Sequence, residues 1–194
     1  MTISLFKDGQ RLYVTPEERK RLRRAVQKLP PTERTFCLTL INTGCRISEA
    51  LNLHAGSIDV VGLQVVIESL KKRKTGVFRA VPVSENYINL MVRIHQLVEL
   101  ADKSKPLWPW HRTKAWQIVK AAFDLADIQG PWATPKGLRH GFAINAMRTA
   151  SEILIQRWMG HSSLKTTAIY SQAIGKEERE IAARTWAEDD DELE

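Results

Sequence analysis

Cysteine is scarce in this chain: Cys37 and Cys45 are the only two in 194 residues, and neither sits in a CxxC or Cys/His spacing. A disulfide framework and a zinc site are therefore not expected, and both thiols are read as reduced and packed. Long apolar runs are missing too. None approaches the roughly 18 residues of a membrane span, and the opening MTISLFKDGQ lacks the apolar centre of a secretory signal. The expectation is a cytoplasmic protein with no membrane partner. No internal repeat occurs, and 43% apolar with 26% charged residues excludes disordered, collagenous and disulfide-dense chains. The length suits one well-buried domain.

Charge is what the sequence has in excess. Lysine and arginine number 29 against 22 acids, a balance of +7, and six of those acids lie in residues 188–194. Setting that acidic tail aside raises the balance from +7 to +13. A body so basic favours a polyanion, nucleic acid before an acidic membrane surface.

The pattern of elements is mostly α with a small antiparallel β-sheet, an α+β class. Thr15-Pro16-Glu17-Glu18 supplies an N-cap, a proline for the first turn and an acid three residues on. Leu22, Ala25, Val26 and Leu29 then form an apolar face that stops at Pro30-Pro31. Further helices are expected over 32–43, 48–53, 84–99, 114–126, 137–148, 151–159 and 176–186, with a short turn near 162–167. Val65, Val66 and Ile67 and the run from Phe78 to Val83 read as strands around the basic turn Lys71-Lys72-Arg73-Lys74-Thr75-Gly76. The six tryptophans stand mostly in apolar contexts and are assigned to packing. His54, His95 and His111 have no partner pattern and are read as packed or exposed.

Four separated segments share one chemistry: Thr43-Gly44-Cys45-Arg46-Ile47-Ser48-Glu49, the Lys74 turn, Lys136-Gly137-Leu138-Arg139-His140, and Gly160-His161 followed by Tyr170. Each offers a cation or a donor for phosphate, and the last adds a phenol able to attack phosphorus. Taken singly, each also has an ordinary reading. Arg46 with Glu49 makes a helix ion pair, Lys74 a solvated turn, Arg139-His140 a surface pair, His161 a capping group and Tyr170 the edge of a core.

Jointly they resemble the catalytic domain of a tyrosine recombinase of the phage integrase family. Thr-Gly-x-Arg-x-Ser-Glu, Lys-x-Gly near Arg-x-Val-Pro, Leu-Arg-His and Gly-His-x-x-x-x-Thr-x-x-x-Tyr occur in that family's order between Tyr13 and Tyr170. The resemblance implies the tyrosine recombinase or type IB topoisomerase-like catalytic core, and a site-specific recombinase that breaks and rejoins DNA through a 3′-phosphotyrosine without metal, cofactor or ATP. It makes Arg46 and Arg139 the arginines on the scissile phosphate, Lys74 the lysine of the strand turn, His161 the second histidine and Tyr170 the nucleophile. Lys136 stands where the family commonly has a histidine, so it can keep the cation and donor roles but not simply the base. Glu49 and His140 are read as supports behind these residues. Lys71, Lys72 and Arg73, with Arg112 and Lys114 at a later helix start, are the expected phosphate contacts.

The implied partners are a double-stranded DNA recombination site, further copies of the chain forming a tetramer on that DNA, and an accessory DNA-binding protein; the implied place is the nucleoid. The implied organisation is an extension over 1–14, the catalytic domain over 15–175, a C-terminal helix over 176–187 that docks in trans, and the acidic tail over 188–194. Family members usually carry a separate helical DNA-binding domain ahead of the catalytic one, so the chain is expected to be either a piece of a longer one or a short one-domain recombinase. The competing readings are a topoisomerase-like nicking and closing enzyme and a catalytically silent DNA-binding regulator.

Overall fold

A computed structural model describes residues 5–70, 76–99, 102–161 and 163–170. The helix expected over 176–186 and the acidic tail lie outside them. Within them the class is as expected, helices around a small antiparallel sheet. Helix α1 (Pro16–Ala25) carries the full capping box: the Thr15 side chain accepts from the Glu18 amide, and Glu18 accepts from the Thr15 amide. A short 3-10 turn, Val26–Lys28, extends it to the two prolines.

Helix α2 (Pro31–Thr43) is the centre of the molecule and is buried on nearly every side. Phe36, Leu40 and Ile41 meet the apolar core, while Thr35, Thr39 and Thr43 are buried at four-residue spacing. Each of these hydroxyls donates back to a carbonyl of the preceding turn, at 2.7–2.8 Å. That leaves oxygen lone pairs for neighbours: Thr39 pairs with the Tyr87 hydroxyl at 2.6 Å, and Thr35 with His95 Nε2 at 2.9 Å. A polar stripe can thus be buried because its hydrogen-bonding capacity is used. Burial also pushes the His95 pKa down to about 4. Cys37 and Cys45 are free and buried, as expected. Gly44 ends the helix in the left-handed region at φ 60°.

Helix α3 (Ile47–Leu51) follows. The sheet has three antiparallel strands, β3 (Ile58–Asp59), β4 (Gln64–Glu68) and β5 (Phe78–Pro82), with Val66 opposite Ala80. The hairpin of β4 and β5 was expected; β3 was not, because two residues carry no periodicity. A second hairpin near the start, β1 (Phe6–Lys7) and β2 (Gln10–Arg11), turns through Asp8 and Gly9, both at positive φ. Its Arg11 donates to Glu18 Oε1 at 2.7 Å and lies 3.7 Å over the Trp132 ring, whose Nε1 donates to the same carboxylate. One buried acid therefore ties the first hairpin to α1 and to the loop that holds Trp132.

Ser84 caps α4 (Glu85–His95), which stops short of the expected end because Gln96 turns left-handed at φ 50°. Helices α5 (Arg112–Leu125), α6 (Pro135–Ala146), α7 (Glu152–Met159) and α8 (Lys165–Ala168) complete the described chain. Among the described residues no helix is long and apolar enough to cross a membrane.

Helix α6 sits so close to its neighbours that backbone fills the place of side chains. A Cβ on Gly137 would come within 1.9 Å of the Trp132 carbonyl, and one on Gly141 within 2.5 Å of the Val14 carbonyl. In an open helix, Gly→Ala gains up to about 1 kcal/mol. Here we expect Gly137→Ala to destabilise by about 1–3 kcal/mol or more, read as a lower urea midpoint, since backbone cannot yield as a side chain can. A raised midpoint would refute this packing.

Candidate functional site

Arg46 stands at the start of α3, where its amide donates to Glu49 Oε2 at 2.8 Å and its guanidinium to Glu49 Oε1 at 2.7 Å. Glu49 is fully buried and accepts a second guanidinium, that of Arg79 on β5, at 2.7 Å. Burial pushes the Glu49 carboxyl up, but the Arg79 hydrogen bond and charge, the Arg46 amide and the Arg46 charge together hold it below the ordinary value of 4.5. Arg79 spends its other donors on the Trp158 carbonyl at 2.8 Å and Ser69 Oγ at 3.0 Å. The Arg46 side chain remains 27% exposed, whereas that of Arg79 is 4% exposed.

Arg139, on α6, is buried and reaches two helix ends. It donates to the Gly44 carbonyl at 2.8 Å, just beyond α2, and to the Met159 carbonyl at 2.6 Å, at the end of α7. These C-terminal carbonyls lack a partner within their own helices and carry the negative end of the helix dipole. Burial, then the Arg46 charge, lowers the Arg139 pKa to about 10, with Glu49 and Tyr170 opposing and Arg79 adding to the fall.

Gly160, left-handed at φ 64°, turns the chain from α7 into His161. The His161 Nδ1 lies 3.1 Å from Thr167 Oγ1, and its ring stacks against Tyr170 with centroids 6.0 Å apart. Tyr170 is fully buried, with its hydroxyl 3.0 Å from His140 Nδ1. Burial pushes its phenol up to about 12 although Arg139 and Arg46 pull it back. Burial also lowers both imidazoles. His140 falls to about 4, helped by the Lys136 and Arg139 charges, and His161 to about 3, helped by Arg139, Arg46, His140 and Arg79.

The structure thus gathers Arg46, Glu49, Arg139, His140, His161 and Tyr170 into one cluster. Lys136 is exposed in the first turn of α6, one turn before His140. Lys71, Lys72, Arg73 and Lys74 fall outside the described residues; Ser69 and Gly76, on either side of that turn, are tied by the Ser69 amide to the Val77 carbonyl and the Gly76 amide to Glu68. Arg112 and Lys114 occupy the exposed first turn of α5, where Lys114 Nζ is 3.6 Å from Glu33. No hydrogen bond or ion pair among the described residues joins these two to the cluster. Nor do those residues hold a group of three His, Cys, Asp or Glu that could take a metal.

Two residues were missed from the sequence. Arg79 was given no part within Arg-x-Val-Pro; its signal was available, because alternation on β5 puts Arg79 inward with Val81, and an inward arginine requires acceptors for its donors. Thr167 meets His161, whereas the motif threonine was Thr166.

A profile of the phage integrase family matches residues 12–176, most of the chain. The chain belongs to the phage integrase family. Among curated family members, the tyrosine recombinase XerA of Pyrococcus furiosus is 28% identical over 179 residues, covering 88% of this chain and 60% of that protein. Tyrosine recombinase XerC of Nitrobacter winogradskyi is 34% identical over 143 residues, covering 68% of this chain and 43% of its own length. The chain therefore spans at most about 60% of the length of these relatives. Among solved structures, the XerA recombinase crystal structure matches with a TM-score of 0.67 at 24% identity, over 81% of this chain and 59% of that one. XerH bound to a palindromic difH substrate, in a post-cleavage complex, gives 0.73 at 22% identity over 93% and 56%. The catalytic domain of bacteriophage HP1 integrase gives 0.62 at 21% identity, over 82% and 86%. The fold is that of the catalytic domains of this family.

Removing the Glu49 charge should expose how much depends on it. We expect Glu49→Gln to lower stability by about 3–5 kcal/mol, the scale for breaking a buried pair from one side. Because the folded carboxyl titrates below 4.5, its contribution is fully present above that pH and is lost as pH falls through the folded value. The stability gap between wild type and variant should narrow on acidification below about pH 4.5, measured by urea unfolding across pH; a constant gap would contradict the pairing.

Proposed function

We propose that this chain is the catalytic part of a site-specific DNA recombinase, in which Tyr170 attacks a scissile phosphodiester and forms a 3′-phosphotyrosine. The observation that carries the reading is the placement of one phenol in the field of two arginines, Arg46 and Arg139, that share a buried frame. As the phenolate attacks, charge grows on the nonbridging oxygens, and two guanidiniums neutralise it bidentately. His161 and Lys136 add donors to the same oxygens. Lys74 protonates the departing 5′ oxygen. The covalent link keeps the energy of the broken bond, so a 5′ hydroxyl from the same or another strand reverses the step without ATP.

The substrate is a duplex recombination site, and copies of the chain assemble on it, as a tetramer when two sites are paired. In support, the XerH structure is a complex with its difH substrate, and a lambda integrase structure is a dimer bound to a core site. Residues 15–175 form the catalytic domain, residues 1–14 an extension, and the segment 176–187, outside the described residues, docks on a neighbouring copy. Lys71, Lys72, Arg73, Arg112 and Lys114 contact phosphates along the duplex, beside an accessory DNA-binding protein. The chain works in the cytoplasm, on the nucleoid. Lys136 in place of the usual histidine favours one second reading, a topoisomerase-like nicking and closing enzyme. Relaxation of a supercoiled plasmid lacking any paired site would select it.

The test is incubation with a library of nicked suicide duplexes and mapping of the covalent adduct. Tyr170→Phe should abolish the adduct and leave DNA affinity nearly intact. Arg46→Ala and Arg139→Lys should each slow cleavage by at least about a hundredfold, the scale for losing one well-placed transition-state donor, with a smaller loss of binding. A chelator should change nothing, because the arginines supply the neutralising charge. An adduct retained in the Tyr170 variant would overturn the assignment.

A further inference from the structure

We propose that His140, rather than the residue at position 136, accepts the proton of the Tyr170 hydroxyl when the phenol attacks phosphorus. This rests on the reading of Tyr170 as nucleophile and assigns the step that reading leaves without an agent. The position expected to hold a base is occupied by Lys136, and an ammonium has three donors and no lone pair.

The geometry is direct. His140 Nδ1 is 3.0 Å from Tyr170 Oη, inside the reach required of a general base, and both side chains are buried. The ring planes are tilted by 48°, with centroids 5.6 Å apart. Hydrogen-bond accounting chooses the direction. If Nδ1 carried the proton and donated, both the tyrosine O–H and a bare Nε2 would be left without partners. If Nδ1 accepts from the O–H, only the Nε2 group is left, and Nε2 indeed finds no partner among the described residues. The accepting tautomer is the less costly one, and it is the one that can take a proton.

The charged and titratable groups facing this ring are Lys136 and Arg139 on its own helix, His161 after α7 and Tyr170 after α8. Burial and the first two keep the imidazole neutral in the free chain, so its lone pair is available. Among the described residues no carboxylate stands behind Nε2 to stabilise an imidazolium, so the proton moves only when a phosphate offsets the neighbouring cations. In the step, the O–H bond of Tyr170 breaks, its proton goes to Nδ1, the Oη–P bond forms, and the P–O5′ bond breaks with protonation of the leaving oxygen by Lys74. In rejoining, His140 returns the proton to Oη as the tyrosine leaves.

The experiment is single-turnover cleavage of a nicked suicide duplex by wild type, His140→Asn and His140→Gln, each with tyrosine or 3,5-difluorotyrosine at position 170. Asparagine can still hydrogen-bond the hydroxyl near the Nδ1 position but has no basic nitrogen. Expected for His140→Asn are unchanged DNA affinity, a rate at least about a hundredfold lower, and a rate that climbs with pH where wild type is level. The more acidic fluorinated phenol should recover at least about tenfold of that loss while changing wild type little. Near wild-type cleavage by His140→Asn, or a loss in both variants that the fluorinated phenol does not recover, would overturn the proposal, the latter by showing a role in position alone. Absence of any wild-type adduct at Tyr170 would instead remove the nucleophile reading on which it stands.

Discussion

Glu49 is a carboxylate with no exposed side-chain surface, and it faces two guanidiniums. An acid in that place would protonate or force its way to water if left alone; paired on both oxygens, it stays ionised. Because Arg79 arrives from β5 and Arg46 heads α3, the charge fixes the sheet to the helix that presents Arg46. Arg79 adds the Trp158 carbonyl, so the end of α7 is placed by the same group. An apolar replacement could hold these elements together as well or better. It could not hold the partly exposed Arg46 side chain at a fixed angle, which is what the proposed phosphate site needs.

Arg139 solves a different problem with the same material. It is buried without a carboxylate of its own, and its donors go to the ends of α2 and α7. Glycines at both ends take the left-handed turn that exposes those carbonyls: Gly44 at φ 60° and Gly160 at φ 64°. A Cβ on Gly44 would also strike Phe142 of α6 at 2.5 Å, so this glycine serves the turn and the close approach of the helix bearing Arg139. Three helices therefore converge on one cation.

Local signals were the legible ones. The Thr15 cap and its acid, Gly44 as a stop, Ser84 as a cap and the β4–β5 hairpin each depend on residues close in sequence, and each stands where expected. The end of α4 did not, since nothing near Gln96 announces a left-handed residue. Motif order brought Arg46, Arg139, His161 and Tyr170 together on the page before they met in space. What stayed hidden depends on distant pairs. His140 was read as a support, and only the fold brings Tyr170, 30 residues later, to its Nδ1. Arg79 and Glu49 are likewise 30 residues apart, and their pairing appears only once the strand is laid against α3.

The perturbed groups of the site have one cause, a concentration of cations in a desolvated place. Burial leads the shift in each of Arg139, His140, His161 and Tyr170, and the neighbouring positive charges come next. For the two histidines burial and charge act together and keep the rings neutral. For Tyr170 they oppose, and burial prevails, holding the proton on the phenol up to about 12. An entering phosphate changes only the charge part of this balance. It offsets the Lys136 and Arg139 charges that act on His140, and so makes a proton on that ring less costly than it is in the free chain. On the proposed reading, the nucleophile Tyr170 and its proton acceptor His140 are held apart in charge state by the cations around them, and the substrate's own charge closes that gap.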